Sequence, residues 1–174
     1  MSDKSGKIQV RRLVTIGFLS WLVMLGIDFF LHAGLLAGLY VQSTPFLLAP
    51  EDAFRSIPLG YLALLLQTIL LLWLTVSLGI RTWKKGGIFG IKLGLLLGGS
   101  MFLGLLSIST VPWHFLLGWT SGQIVEMAVA GAVIGSSVRA ERLKPIVFRV
   151  IAIVMLLLLL TITMQSLGWV PTLK

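Results

Sequence analysis

Leu13 to Tyr40 reads LVTIGFLSWLVMLGIDFFLHAGLLAGLY, and Asp28 is the only acid or base between Arg12 and Glu51 apart from His32. A run of this length crosses a bilayer, since about 20 apolar residues span a hydrocarbon core of about 30 Å. Residues four apart share one face of a helix. Asp28 and His32 therefore form an acid–imidazole stripe at membrane depth. A cleavable signal is not expected here: its apolar core would be about half as long and would end in small residues.

Working outward, the same apolar character fills the chain. Of its 174 residues, 57% are hydrophobic and only 11% charged, and the mean hydropathy is +1.01. A soluble domain carries roughly 25% charged residues, so that class is excluded. The net charge of +8 sits in short clusters beside apolar runs, which fits contact with anionic lipid headgroups and not with nucleic acid. The absence of cysteine removes disulfides, thiolate metal sites and thiol nucleophiles.

Five spans are expected, at about 13–40, 58–80, 88–110, 113–138 and 146–168, in a single all-α transmembrane domain covering 1–174. The tail (Lys4, Lys7, Arg11, Arg12), the turn at Arg81, Lys84 and Lys85, and the turn at Arg139, Arg142 and Lys144 hold nearly all the basic residues. The connections at Gln42 and Ser107 hold only Arg55. The positive-inside rule then places the N-terminus in the cytoplasm and the C-terminus on the exoplasmic side. Four spans would put one basic turn on the wrong side. The expected setting is a prokaryotic cytoplasmic membrane.

Pro50 followed by Glu51 and Asp52 is a good helix start, because proline suits the first position and acids favour the positive end of the dipole. A short interfacial helix over Glu51–Arg55 is expected, with Ser56 capping a separate span entered at Pro58. In the third span Gly86, Gly90, Gly94 and Gly98 recur every four residues, the GxxxG pattern of a close packing seam. Gly34 with Gly38, Gly118 with Gly122 and Gly131 with Gly135 repeat it. The last span, with few polar residues, is expected to face lipid. A match of the Arg81 and Arg139 hairpins is too thin to establish a duplication.

Asp28 and Glu126 fall near the middle of their spans, as do Gln67, Thr68 and Ser100. An acid at the centre of an inserting helix costs about 2.5–3.5 kcal/mol, so these groups are expected to point inward and meet. His32 and Gln123 lie one turn outward and form an upper layer. The candidate binding set for a proton, ion or small ligand is therefore Asp28, His32, Glu126, Gln123 and Gln67. His114 and Lys92 are peripheral: His114 reads as an interfacial residue beside Trp113, and Lys92 as a snorkelling side chain.

A purely structural reading also exists, with Asp28 bonded to His32, Glu126 held as the neutral acid, and the glutamines satisfying the remainder. Interhelical polar bonds average only about 0.6 kcal/mol in membranes, so the cluster is an expensive way to hold helices together. Asp28, His32 and Glu126 could ligate zinc or iron, but no familiar ligand spacing such as H-E-x-x-H is present, so spacing assigns no metal. No serine stands within a turn of His32 and no G-x-S-x-G occurs, so no catalytic residue is assigned, and no cofactor is specified.

Three functional classes stay open. The leading one is a small polytopic protein with an intramembrane acid–histidine centre, related to transport. The second is an accessory or assembly subunit of a larger membrane complex, or a homo-oligomer. The third is a membrane enzyme that modifies a lipid or isoprenoid.

Overall fold

The computed structural model describes residues 10–40 and 45–171; Lys4, Lys7 and Gln42 lie outside them. Helix α1 (Val10–Phe30) continues into a π-helical turn (Leu31–Leu35) and a short α2 (Ala37–Tyr40). Then follow α3 (Pro50–Ser77), α4 (Trp83–Ile108), α5 (Trp113–Ser137) and α6 (Lys144–Ser166). No strand occurs among the described residues. Five helices are long and apolar enough to cross a membrane. In hydrocarbon the backbone must satisfy its own hydrogen bonds, which a helix does within one segment.

The buried face of α1 is Ile16, Leu19, Ser20, Val23, Met24, Gly26 and Ile27, the three-and-four spacing of one helical stripe. Ile16 and Met24 pack with Leu64 and Leu71 of α3 and with Met127, Ala130 and Ile134 of α5. Leu19, Val23 and Ile27 pack with Val150 of α6. Thus α1 is surrounded by α3, α5 and α6. The Trp21 indole N–H donates to the Tyr61 carbonyl (3.1 Å), and the Thr68 hydroxyl lies 3.2 Å from the Met24 sulfur.

Helices α4 and α5 share the most extensive contact. Gly86, Gly90, Gly94 and Gly98 are all buried, and backbone meets backbone along them. A Cβ at Gly90 would collide with the Met127 carbonyl, and one at Gly86 with that of Gly131. At Gly94 it would lie 2.9 Å from Ile124 Cα. Rising numbers on α4 meet falling numbers on α5, so the hairpin is antiparallel.

At one end of the bundle, Arg12 donates from Nη2 to the carbonyls of Ser137 (2.9 Å) and Ala140. Ser137 ends α5 and Ala140 follows it, where helical i+4 donors run out, although the Ser137 carbonyl also accepts from Ala140 N–H at 3.3 Å. Gly135 lies against the Thr82 carbonyl at the same end. The described basic segments around Arg12, Arg81 and Arg139 therefore gather together.

Several expectations are corrected. There is no separate interfacial helix: α3 is continuous from Pro50 to Ser77 with Pro58 inside it. Its 28 residues extend about 42 Å at 1.5 Å per residue, longer than the hydrocarbon core. Ser56 does not cap a new helix, since its hydroxyl donates back to the Asp52 carbonyl of the same helix (2.8 Å). Phe54 is exposed. The third span begins at Trp83 and not at 88, because the Thr82 side chain accepts from Lys85 N–H and starts the helix within the basic cluster.

The first span does not run unbroken to Tyr40, since the π turn ends it at Leu35. A Cβ added at Gly34 would lie 3.7 Å from the Thr161 side chain, and one at Gly38 would meet nothing within 4 Å, so that pair forms no close seam. The last span has an inward face: Val150 and Thr161 are buried, and Gln165 donates to the Ala33 carbonyl. Leu156, Leu159 and Leu160 do point outward. Positive φ at Gly79 (65°) and Gly168 (71°) turns the chain where α3 and α6 stop, the left-handed region that glycine enters without steric cost.

Candidate functional site

Asp28 stands in the last turn of α1, and His32 in the π turn that follows. A π turn closes with a bond to the fifth residue, here Leu36 N–H to the Leu31 carbonyl at 2.7 Å. The ladder is thereby widened at the imidazole. Gln165 Nε2 of α6 occupies the Ala33 carbonyl at 2.8 Å, so a break in the helix at membrane depth keeps a donor.

His32 Nε2 lies 3.5 Å from Asp28 Oδ1. On the other side of the ring, Nδ1 is hydrogen-bonded to the Tyr40 hydroxyl at 2.5 Å, the donor depending on the imidazole tautomer. The same hydroxyl accepts from the Trp119 indole N–H at 2.6 Å. A line of polar groups therefore runs from α5 through α2 to the π turn and α1.

Glu126 meets this line from α5. One potential ligand atom from each of Asp28, His32 and Glu126 lies within 4.8 Å of the other two. Glu126 is only 3% exposed, against 27% and 30% for the side chains of Asp28 and His32. Among the described residues no hydrogen bond reaches the Glu126 carboxyl. Gly122, one turn away, leaves room beside it, since a Cβ there would lie 3.9 Å from Glu126 Oε1.

The surroundings are uneven. Outward of the cluster, Tyr40, Phe46, Phe115 and Trp119 stack edge to face, with centroids 5.0–6.0 Å apart. Towards the Arg12 end, Met24, Met127, Ala130 and Ile134 are fully buried and present no polar group. On α3 the first turns, Glu51–Arg55 and Ile57–Gly60, are exposed.

The other expected site residues separate from this triad. Gln67 and Gln123 line a different feature, a groove between α3, α4 and α5 shared with Leu66, Leu70, Leu97 and Met101. Gln67 Oε1 is buried there with no partner among the described residues. Gln123 turns towards α4, its Oε1 lying 3.5 Å from where a Cβ of Gly98 would be. Ser100 is exposed and does not join the centre, and Thr68 donates to the Leu64 carbonyl of its own helix.

His114 is exposed and stacks against Trp113 and Phe115, with centroids 6.1 and 5.4 Å away. Lys92 is exposed and lines a shallow pocket with Ile80, Lys85, Ile88 and Phe89 beside the start of α4.

Tyr40 and Trp119 were not legible as members of the site. A signal existed: Asp28, His32 and Tyr40 fall on four-residue steps, and Trp119 is seven residues, or two turns, before Glu126. Chemically, the arrangement presents two carboxylates and one imidazole at a common point, with the imidazole oriented from behind. Such a point can hold a proton or a cation between spans. The chain matches no protein-family model, no curated protein and no solved structure.

Proposed function

We propose that this chain is a membrane protein whose centre at Asp28, His32 and Glu126 binds a proton, a cation or a small polar ligand as the working part of a transport process. One observation carries the reading: Glu126, a residue only 3% exposed, brings its carboxyl within 4.8 Å of a second acid and an imidazole across a helix interface, with no hydrogen bond of its own among the described residues. Structural polar groups in hydrocarbon are normally paired, and ionisable ones there commonly mark pathways or ligands.

The N-terminus is assigned to the cytoplasm. The gathering of the Arg12, Arg81 and Arg139 segments at one end supports this through the positive-inside rule. The fully buried Met24, Met127, Ala130 and Ile134 make the core towards that end mainly apolar. Passage then requires movement of α1 against α5, with the π turn as the segment whose hydrogen-bond pattern can change. The tight α4–α5 seam of small residues serves as the fixed wall.

Vesicles reconstituted with the full chain and given proton, monovalent-cation and divalent-cation gradients in turn test this. Flux above that of empty vesicles is expected, falling to background in Asp28→Asn and in Glu126→Gln. Wild-type flux equal to that of empty vesicles, or unchanged flux in both variants, overturns the transport reading.

A further inference from the structure

The identity of the ligand can be narrowed from the donor set, an inference that rests on reading the cluster as an intramembrane binding centre. Its ingredients are one imidazole nitrogen and two carboxylates, contributed by two helices. Two donor atoms bound about 2.0–2.1 Å from one ion stand roughly 2.9 Å apart in octahedral and roughly 3.4 Å apart in tetrahedral geometry. The His32 Nε2 to Asp28 Oδ1 separation is 3.5 Å. That is long for a hydrogen bond and close to the spacing of two ligands on one metal. No pair within the triad exceeds 4.8 Å, so side-chain rotation closes the set without moving a helix.

Three further features point the same way. Glu126 is almost wholly buried and brings to this point a carboxyl with no hydrogen bond among the described residues, within 4.8 Å of the other two groups. His32 is held from behind: with Nδ1–H donating to the Tyr40 hydroxyl, Nε2 keeps its lone pair facing the two acids. Metal-bound histidines are oriented in this way by their other nitrogen. The Trp119 N–H fixes Tyr40 in turn. Finally, two carboxylates around a divalent ion sum to zero charge, the state that a low-dielectric interior tolerates best.

We infer that Asp28, His32 and Glu126 form a three-residue site for a divalent transition metal ion of the zinc or ferrous type. A mixed imidazole–carboxylate set suits these ions. It lacks the all-oxygen shell preferred by calcium and magnesium and the thiolates preferred by cuprous copper. Three protein ligands leave at least one coordination position for water or another small ligand.

The test uses the full chain purified in detergent without a histidine tag, stripped with a chelator and titrated with Co2+ and then Zn2+. One equivalent of Co2+ per chain is expected, with visible ligand-field bands that Zn2+ abolishes. Affinity should fall by more than about 100-fold in Asp28→Asn, His32→Gln and Glu126→Gln, exceeding the roughly 10–100-fold loss typical of an outer-shell partner. Tyr40→Phe, which removes one hydroxyl and spares the packing, should show that smaller loss. His114→Ala, at the exposed second histidine, should bind as wild type.

Helical circular dichroism and size-exclusion elution identify any variant that fails to fold. In that case Tyr40→Phe against His114→Ala carries the comparison. Absence of stoichiometric binding, or an equal loss in His114→Ala and His32→Gln, overturns the metal assignment. If proton or monovalent-cation flux nevertheless depends on Asp28 and Glu126, the binding centre stands with a different occupant. If metal binds as expected and no flux is seen, the site stands and transport fails.

Discussion

Helix α5 meets its two main neighbours in opposite ways. Towards α4 it presents Gly131 and Gly135, and the helices touch through their backbones. Towards α1 it presents Glu126 and leaves gaps of several ångströms among ligating atoms. Where Gly86 and Gly90 meet Gly131 and Met127, the first contact is backbone on backbone with little to rearrange, so it has one geometry. The second is built from side chains with rotamers and from a π turn, so it can accommodate an occupant. A rigid face and an adaptable face on one helix let the α4–α5 hairpin hold Glu126 still while α1 supplies the groups that adjust to it.

The sharpest way to break this contrast is to put a methyl group on the rigid face. In Gly90→Ala the new Cβ meets the Met127 carbonyl, and neither backbone can rotate away as a side chain would. A loss of about 3 kcal/mol is expected, the upper range for overpacking, measured by unfolding in mixed SDS micelles. Gly104→Ala on the same helix meets nothing within 4 Å. It should be neutral or stabilising by about 0.5–1 kcal/mol, since alanine is the better helix former. Equal effects in the two variants would mean that α4 and α5 do not pack through this face.

The next effect lies at the basic end, where α1 is fastened to α5. Arg12 supplies donors to two carbonyls at and just after the end of α5, and charge-assisted bonds of this kind contribute about 1.5–3 kcal/mol. Arg12→Ala should therefore cost about 2 kcal/mol and speed amide hydrogen exchange around 138–143. Arg12→Lys keeps the charge but not the fork of donors, so it should recover only part of this. Full recovery by lysine would assign the effect to charge alone.

Much of the architecture was legible because it follows from solvent chemistry. Five apolar runs announce five helices long and apolar enough to cross a membrane, and Asp28 with His32 announces itself by four-residue spacing. Glu126 was placed opposite them by the cost of leaving an acid in lipid. What escaped was decided by local backbone choices. Nothing in LHAGL marks a π turn, and Pro58 reads as a helix start although the helix from Pro50 has no reason to stop before it. Ser100 was expected inward, yet a hydroxyl costs too little to fix the rotation of a helix that glycines already orient. Gln67 and Gln123 were placed near the acids by depth alone. Depth leaves the face undetermined, and theirs is a separate groove.

The smallest expected loss tests the adaptable face without touching a ligating residue. Trp119→Phe keeps an aromatic ring against Phe115 and removes the indole N–H that holds the Tyr40 hydroxyl. A neutral hydrogen bond contributes about 0.5–1.5 kcal/mol, so the unfolding free energy should fall by about 1 kcal/mol, less than for Gly90→Ala or Arg12→Ala. The informative readout is the His32 ring. With its outer donor gone, Tyr40 is freer to rotate, and the imidazole 15N resonances should broaden or shift towards a mixture of tautomers. A rigid face would answer the loss of one bond with a change in stability alone. If the His32 resonances stay as in wild type while stability falls, the line from Trp119 to the imidazole acts only as packing, and α1 meets α5 as stiffly as α4 does.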